Sequence, residues 1–240
     1  MFGGKLGTAG TMLGTTPGTT LAKTLGKTLG TARGTMLCML LLAPGWAHSA
    51  PKTVLVLGDS LSAEYGLARG AGWVALMDNK LKADKVAATI VNASISGETT
   101  AGGRTRLPAL LATHKPALLV IELGANDGLR GLPVPSAEAN LRAMVSMAQQ
   151  TRAKVLLVGM RMPPNYGRAY TDSFFSMYEK VARELKTPLV PFMLAGVADK
   201  ADWFQADRLH PAAQAHPTIL ANIYPTLLPL IQANAPARAR

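Results

Sequence analysis

From residue 51 onward, short unbroken apolar runs alternate with longer segments whose apolar residues recur at helical spacing. The strand-length runs are 53–57, 88–92, 117–123, 154–159 and 188–192. They are continuously apolar, not alternating, which is the pattern of parallel strands covered on both faces. Between them, segments 73–81, 104–114, 137–151 and 172–185 carry helical periodicity. A last segment, from Pro211 to about residue 231, also reads as helix, and Pro217, Pro225 and Pro229 are expected to break or kink it. This β-α-β-α order with short links predicts an α/β fold, an open doubly wound sandwich with a parallel sheet between helices.

The first 49 residues differ from the rest. They repeat Gly-Thr and Leu-Gly units, carry Lys5, Lys23, Lys27 and Arg33 without an acid, and lead into the apolar run 36–44 and then "GWAHSA". A basic stretch, an apolar stretch and small residues in that order read as a secretory signal, cut after Ala47 or Ser49. The apolar run is far shorter than the ~20 residues needed to span a bilayer, which argues against a membrane anchor. The expected organisation is therefore 1–49, a signal peptide with a low-complexity extension, 50–232, a single catalytic domain, and 233–240, a flexible basic tail. Export to the periplasm follows from that reading. The only cysteine, Cys38, lies inside the signal, so neither a disulfide nor a cysteine nucleophile is expected in the mature chain. No His/Cys cluster has metal-ligand spacing, and no metal or cofactor is expected. The formal net charge of +11 leaves room for peripheral contact with an anionic membrane surface. No Lys/Arg cluster with interleaved aromatics points to nucleic acid, and nothing points to an obligate protein partner.

Open parallel sheets bind ligands at the carboxyl ends of their strands, so the residues after each run are a census of one edge. Gly58-Asp59-Ser60 follows the first run, "ASISGET" with Gly97 the second, and "GANDG" with Asn126 and Asp127 the third. "RMPPNYG" follows the fourth, and a loop after the fifth leads to "ADRLHP" with Asp207 and His210. Serine hydrolysis needs a hydroxyl, a base, a group that orients the base, and donors aimed at the developing oxyanion. Ser60 supplies the hydroxyl and, through its own N–H, one donor. His210, held out of helical geometry by Pro211, is the candidate base, with Pro211 expected at the first position of the next helix. Asp207 can turn back on one ring nitrogen. Gly97, without a Cβ, lets its N–H approach a carbonyl closely, and Asn126 offers a side-chain NH2.

Singly, each of these has a plainer reading: Gly-Asp-Ser and Asn126 as turn residues, Gly97 as a loop glycine, His210 as a surface histidine. The conjunction at one sheet edge is what points to catalysis. His114 and His216 are expected to be solvated. Asp59 is expected to brace the turn, and Asp127 to do the same for Asn126. Leu129, Leu132, Met162 and Pro163 are candidates for the lip of an apolar groove, because their loops follow strands beside Asn126 and carry apolar side chains with Pro or Gly. A non-catalytic binder of acyl or phosphorylated ligands would need neither the triad nor the donors, and no phosphate-cradling G-x-x-x-x-G-K-S/T loop is present at the strand ends. An α/β-hydrolase is disfavoured because Gly58 to Ser62 gives only half of a G-x-S-x-G elbow.

The blocks "LGDSLSA", "VNASISGETT", "RLPALLATHKP", "ELGANDGLRG", "MRMPPNYGRAY" and "LHP" run colinearly along the chain. Over residues 51 to about 232 they resemble the SGNH (GDSL) hydrolase family, in its bacterial acyl-CoA thioesterase I/lysophospholipase L1/arylesterase branch. The resemblance implies a flavodoxin-like three-layer α/β/α sandwich on a five-stranded parallel sheet. It implies Ser60 as nucleophile, Asp207 and His210 as its partners, and Gly97 and Asn126 completing the oxyanion hole with Ser60. Small-molecule acyl esters and thioesters are the implied substrates, with a carbohydrate O-acetyl esterase of the same family as the alternative. Glu64 departs from the branch, which often has Gly there; a helix at that position would accept Glu.

Overall fold

The structure, a computed structural model, describes residues 51–233. The expected signal segment and the tail beyond Ala233 lie outside the described residues. Five strands form one sheet: β1 (Lys52–Gly58), β2 (Ala88–Asn92), β3 (Leu118–Glu122), β4 (Lys154–Val158) and β5 (Leu189–Val190). All neighbours pair in parallel, in the order β2-β1-β3-β4-β5. The apolar runs of β1, β3 and β4 are almost wholly buried, as strands covered on both faces must be. β5 is shorter than expected. Pro188 and Pro191 bracket it, and proline has no N–H to give to a ladder.

Six helices cover the sheet: α1 (Trp73–Ala83), α2 (Thr100–His114), α3 (Ala125–Leu129), α4 (Val134–Gln150), α5 (Arg168–Glu184) and α6 (His216–Gln232). α1 packs with α6 on one face, and α2, α4 and α5 pack in succession on the other, giving the three layers. α2 starts four residues before the helical periodicity becomes visible, because Thr99 caps it by accepting from the Gly102 N–H and the two glycines carry no apolar signal. α3, only five residues long, is too short to show a helical period in the sequence.

α6 is one continuous helix, against the expectation that its prolines would break it. Pro217 sits in the first turn, where no N–H partner is lost. Pro225 and Pro229 remove bonds to the carbonyls of Ala221 and Pro225, and all three residues lie on the exposed stripe, where water can satisfy those oxygens. Pro211 does not open a helix either. It forms an isolated antiparallel bridge with Phe204, and the chain becomes helical only after a short 3₁₀ turn at Ala213–Ala215.

The strand order reverses direction between β1 and β3, which makes the carboxyl ends of these two strands the natural crevice of the fold. Ser60 follows β1 and Asn126 follows β3.

Candidate active site

Three side chains distant in sequence form one hydrogen-bonded line at that crevice. Ser60 Oγ lies 2.9 Å from His210 Nε2, and His210 Nδ1 lies 2.7 Å from Asp207 Oδ2. Asp207 Oδ1 also accepts from the backbone N–H groups of Leu209 and His210, at 2.9 and 3.0 Å. Those bonds, the His210 N–H first, pull the Asp207 carboxyl down to about 2, so it is ionised at any working pH. The loop turns tightly enough for this because Arg208 adopts a left-handed φ of 58°. It is closed by Gln205 N–H donating to the His210 carbonyl at 2.8 Å and Ala212 N–H donating to the Trp203 carbonyl at 2.7 Å. The Tyr65 ring lies against the imidazole, with centroids 4.4 Å apart.

Asp59 is fully buried and braces the Ser60 turn as expected. Its Oδ1 accepts from the Leu61 N–H at 3.0 Å and its Oδ2 accepts from Asn126 Nδ2 at 3.1 Å. Burial raises its pKa to about 6, and both bonds work against that rise. Asn126 Nδ2 donates a second bond, to the Glu98 carbonyl at 3.0 Å. One side chain thus ties the β1 turn to the loop holding Gly97. Gly97 has a φ of 79°, a conformation open to glycine at little cost, and its carbonyl accepts from Arg130 Nη2 at 3.0 Å. Among the described residues, the N–H groups of Ser60 and Gly97 meet no protein acceptor. Both hydrogens of the Asn126 amide are occupied, so an oxyanion there would compete with the Glu98 carbonyl.

Several expectations need correction. Asp127 does not brace Asn126. Its carboxylate accepts from the N–H and hydroxyl of Thr100, at 2.8 and 2.6 Å, and so anchors the start of α2. Glu64 is not in a helix. It holds a left-handed φ of 60°, and its carboxylate accepts from the Gly70 and Gly72 N–H groups at 3.0 and 2.9 Å. His216 is buried, not solvated; its Nδ1 accepts from the Trp73 N–H at 3.0 Å, at the start of α1. Burial lowers its pKa, keeping the ring neutral.

Ser60, Asn126 and His210 open onto a cleft of about 570 Å³. Leu129, Met162 and Pro163 line it, whereas Leu132 does not and is 39% exposed. Leu132 instead lies past the end of α3, its N–H turned back to the Asp127 carbonyl. The reading of the sequence missed Phe192, Leu194, Phe204 and Leu209. The first two follow β5, Phe204 precedes Asp207 and Leu209 lies between Asp207 and His210, so the same strand-end census could have found them.

A parallel sheet with a hydroxyl–imidazole–carboxylate line at its carboxyl edge is the architecture of hydrolases that act through an activated serine. Residues 56–217 match the GDSL-like lipase/acylhydrolase family, and the chain belongs to it. It is 51% identical over 184 residues to "Esterase TesA" of Pseudomonas aeruginosa, covering 77% of this chain and 92% of that protein. It is 42% identical to "Thioesterase 1/protease 1/lysophospholipase L1" of Escherichia coli K12, covering 76% and 86%. Among solved structures, the esterase EstA from a Pseudoalteromonas species, inhibited by monoethylphosphonate, superimposes with a TM-score of 0.72 at 41% identity, covering 76% of this chain and 100% of that one. The chain is a hydrolase of ester bonds.

Proposed function

We propose that the chain hydrolyses acyl esters and thioesters, including lysophospholipids and aryl esters, through an acyl-enzyme on Ser60. The observation that carries this is the 2.9 Å contact of Ser60 Oγ with an imidazole whose other nitrogen is held by an ionised Asp207. His210 Nε2 takes the serine proton as Oγ attacks the acyl carbon. The oxyanion is received by the N–H groups of Ser60 and Gly97 and by Asn126 Nδ2. On collapse, His210 returns the proton to the departing alcohol or thiol. Water then gives a proton to His210 and its hydroxyl to the acyl carbon, and as the bond from that carbon to Ser60 Oγ breaks His210 passes the proton to Oγ, releasing the acid and the free enzyme. The apolar cleft walls support an acyl chain as the part of the substrate held, and the names of the relatives support esters and thioesters as the bonds cleaved.

Ser60→Ala tests the assignment. It should abolish fluorophosphonate labelling and p-nitrophenyl ester hydrolysis while the circular dichroism spectrum stays native; retained activity would refute it.

The setting of the enzyme belongs to the same proposal. Residues 1–49 act as an export signal and the mature enzyme works in the periplasm, which N-terminal sequencing of protein recovered from that compartment would check. Tyr65, Ile95, Leu132 and Leu209 are the exposed large apolar side chains among the described residues. All four lie on loops at the carboxyl edge of the sheet, where Arg130, Arg161 and Arg208 are also exposed. This supports peripheral contact of that edge with an anionic membrane surface.

A further inference from the structure

Directly beneath the Ser60 turn lies a carboxyl group that the reaction does not use. Glu122, the last residue of β3, is completely buried. Its Oε2 accepts from Ser62 Oγ at 2.6 Å and lies 3.4 Å from the Asp59 N–H. Ser62 Oγ in turn accepts from Trp73 Nε1 at 3.1 Å. The other oxygen, Oε1, is buried and meets no hydrogen-bond partner among the described residues. An orphaned buried carboxyl oxygen lowers stability, and an apolar side chain of the same length would avoid that loss.

Gly58 adds an independent observation. A Cβ there would stand 2.7 Å from Ser62 Oγ and 2.8 Å from Glu122 Oε2. The glycine two residues before Ser60 therefore leaves the room in which this hydroxyl and carboxyl meet. The contact bridges β3 to residues on both sides of Ser60, namely Asp59 and Ser62. It fixes the height and direction of the turn relative to the sheet.

We infer that Glu122 is a positioning residue: through Ser62 and the Asp59 N–H, its carboxyl sets where Ser60 Oγ stands relative to His210. Burial and the neighbouring Asp59 carboxylate both raise the Glu122 pKa, which favours the neutral group that glutamine mimics. The inference rests on Ser60 being the nucleophile, but the two can fail separately. An active Ser60→Ala variant would sink the catalytic assignment, whereas the experiment below can sink the positioning role alone.

Glu122→Met and Glu122→Gln should be compared by p-nitrophenyl ester kinetics, fluorophosphonate labelling rate and thermal melting. A displacement of about 1 Å at the reacting atom costs roughly 100-fold in rate. The Met variant, which leaves the Ser62 hydroxyl and the Asp59 N–H without their carboxyl acceptor, is expected to fold but melt below wild type, and to lose about 10- to 100-fold in kcat and in labelling rate with KM nearly constant. Gln, which keeps an acceptor for Ser62, should restore kcat to within about threefold of wild type. A Met variant with wild-type kcat, or a Gln variant as slow as Met, would overturn the inference. Should Glu122→Met fail to fold, Ser62→Ala reads the same contact from the other side. A fall in kcat without a change in KM supports the positioning role, and wild-type kcat overturns it.

Discussion

Replacing Asn126 by alanine separates two roles that the geometry places on one amide. As an oxyanion donor, Asn126 stabilises the transition state, and losing such a donor costs roughly 3–4 kcal/mol, or about 10²- to 10³-fold in kcat. As a clamp, it donates 3.1 Å to Asp59 Oδ2 and 3.0 Å to the Glu98 carbonyl. A hydrogen bond to a buried charged group contributes about 1.5–3 kcal/mol. Without it, the Asp59 pKa, already about 6 because of burial, must rise further, towards the range where the assay is run. In Asn126→Ala, Asp59 is therefore more protonated than in wild type near pH 6.5, and ionised in both near pH 9. The kcat deficit should accordingly be about 10²- to 10³-fold at high pH and larger at pH 6.5, with KM changing little. Steady-state hydrolysis of a p-nitrophenyl ester at several pH values, on protein checked by circular dichroism, measures both. A folded variant within tenfold of wild-type kcat would refute the donor role. A deficit that does not vary with pH would refute the coupling to Asp59.

His216 makes stability depend on acidity. Its folded-state pKa lies below the ordinary 6.5 because the ring is buried with Nδ1 accepting from Trp73, so the unfolded chain binds more protons below that pH. The contribution is complete above pH 6.5 and is lost as pH falls through the folded value. His216→Gln should flatten the dependence of melting temperature on pH between 7.5 and 5, and an unchanged slope would show that the loss arises elsewhere. The apolar and arginine-bearing edge should bring the mature chain down with phosphatidylglycerol vesicles and leave it in solution with phosphatidylcholine ones. Equal sedimentation with both, or with neither, would contradict the membrane contact.

Which parts of this molecule can be read from its sequence depends on where their partners come from. β1, β3 and β4 are legible because a strand buried on both faces is written as a mainly apolar run without alternation, even though β3 ends in Glu122. Ser60, Asn126, Asp207 and His210 are legible because a parallel sheet delivers the ends of its strands to one edge, whatever the helices do. Asp59 and Asp127, alike in their place beside a site residue, separate once contacts decide. The first meets Asn126 across the switch point, and the second meets Thr100 at the start of α2. His216 and Glu122 are illegible for the same reason. Their hydrogen-bond partners are Trp73, which lies 143 positions from His216, and Ser62, 60 positions from Glu122. No local period records such a meeting. Glu64 fails differently: a left-handed φ of 60° at a non-glycine is held by two backbone N–H groups several residues ahead, which no local pattern announces. Topology thus exposes the reacting groups to a reader of the sequence, while the residues that hold them in place become visible only when distant elements are packed together.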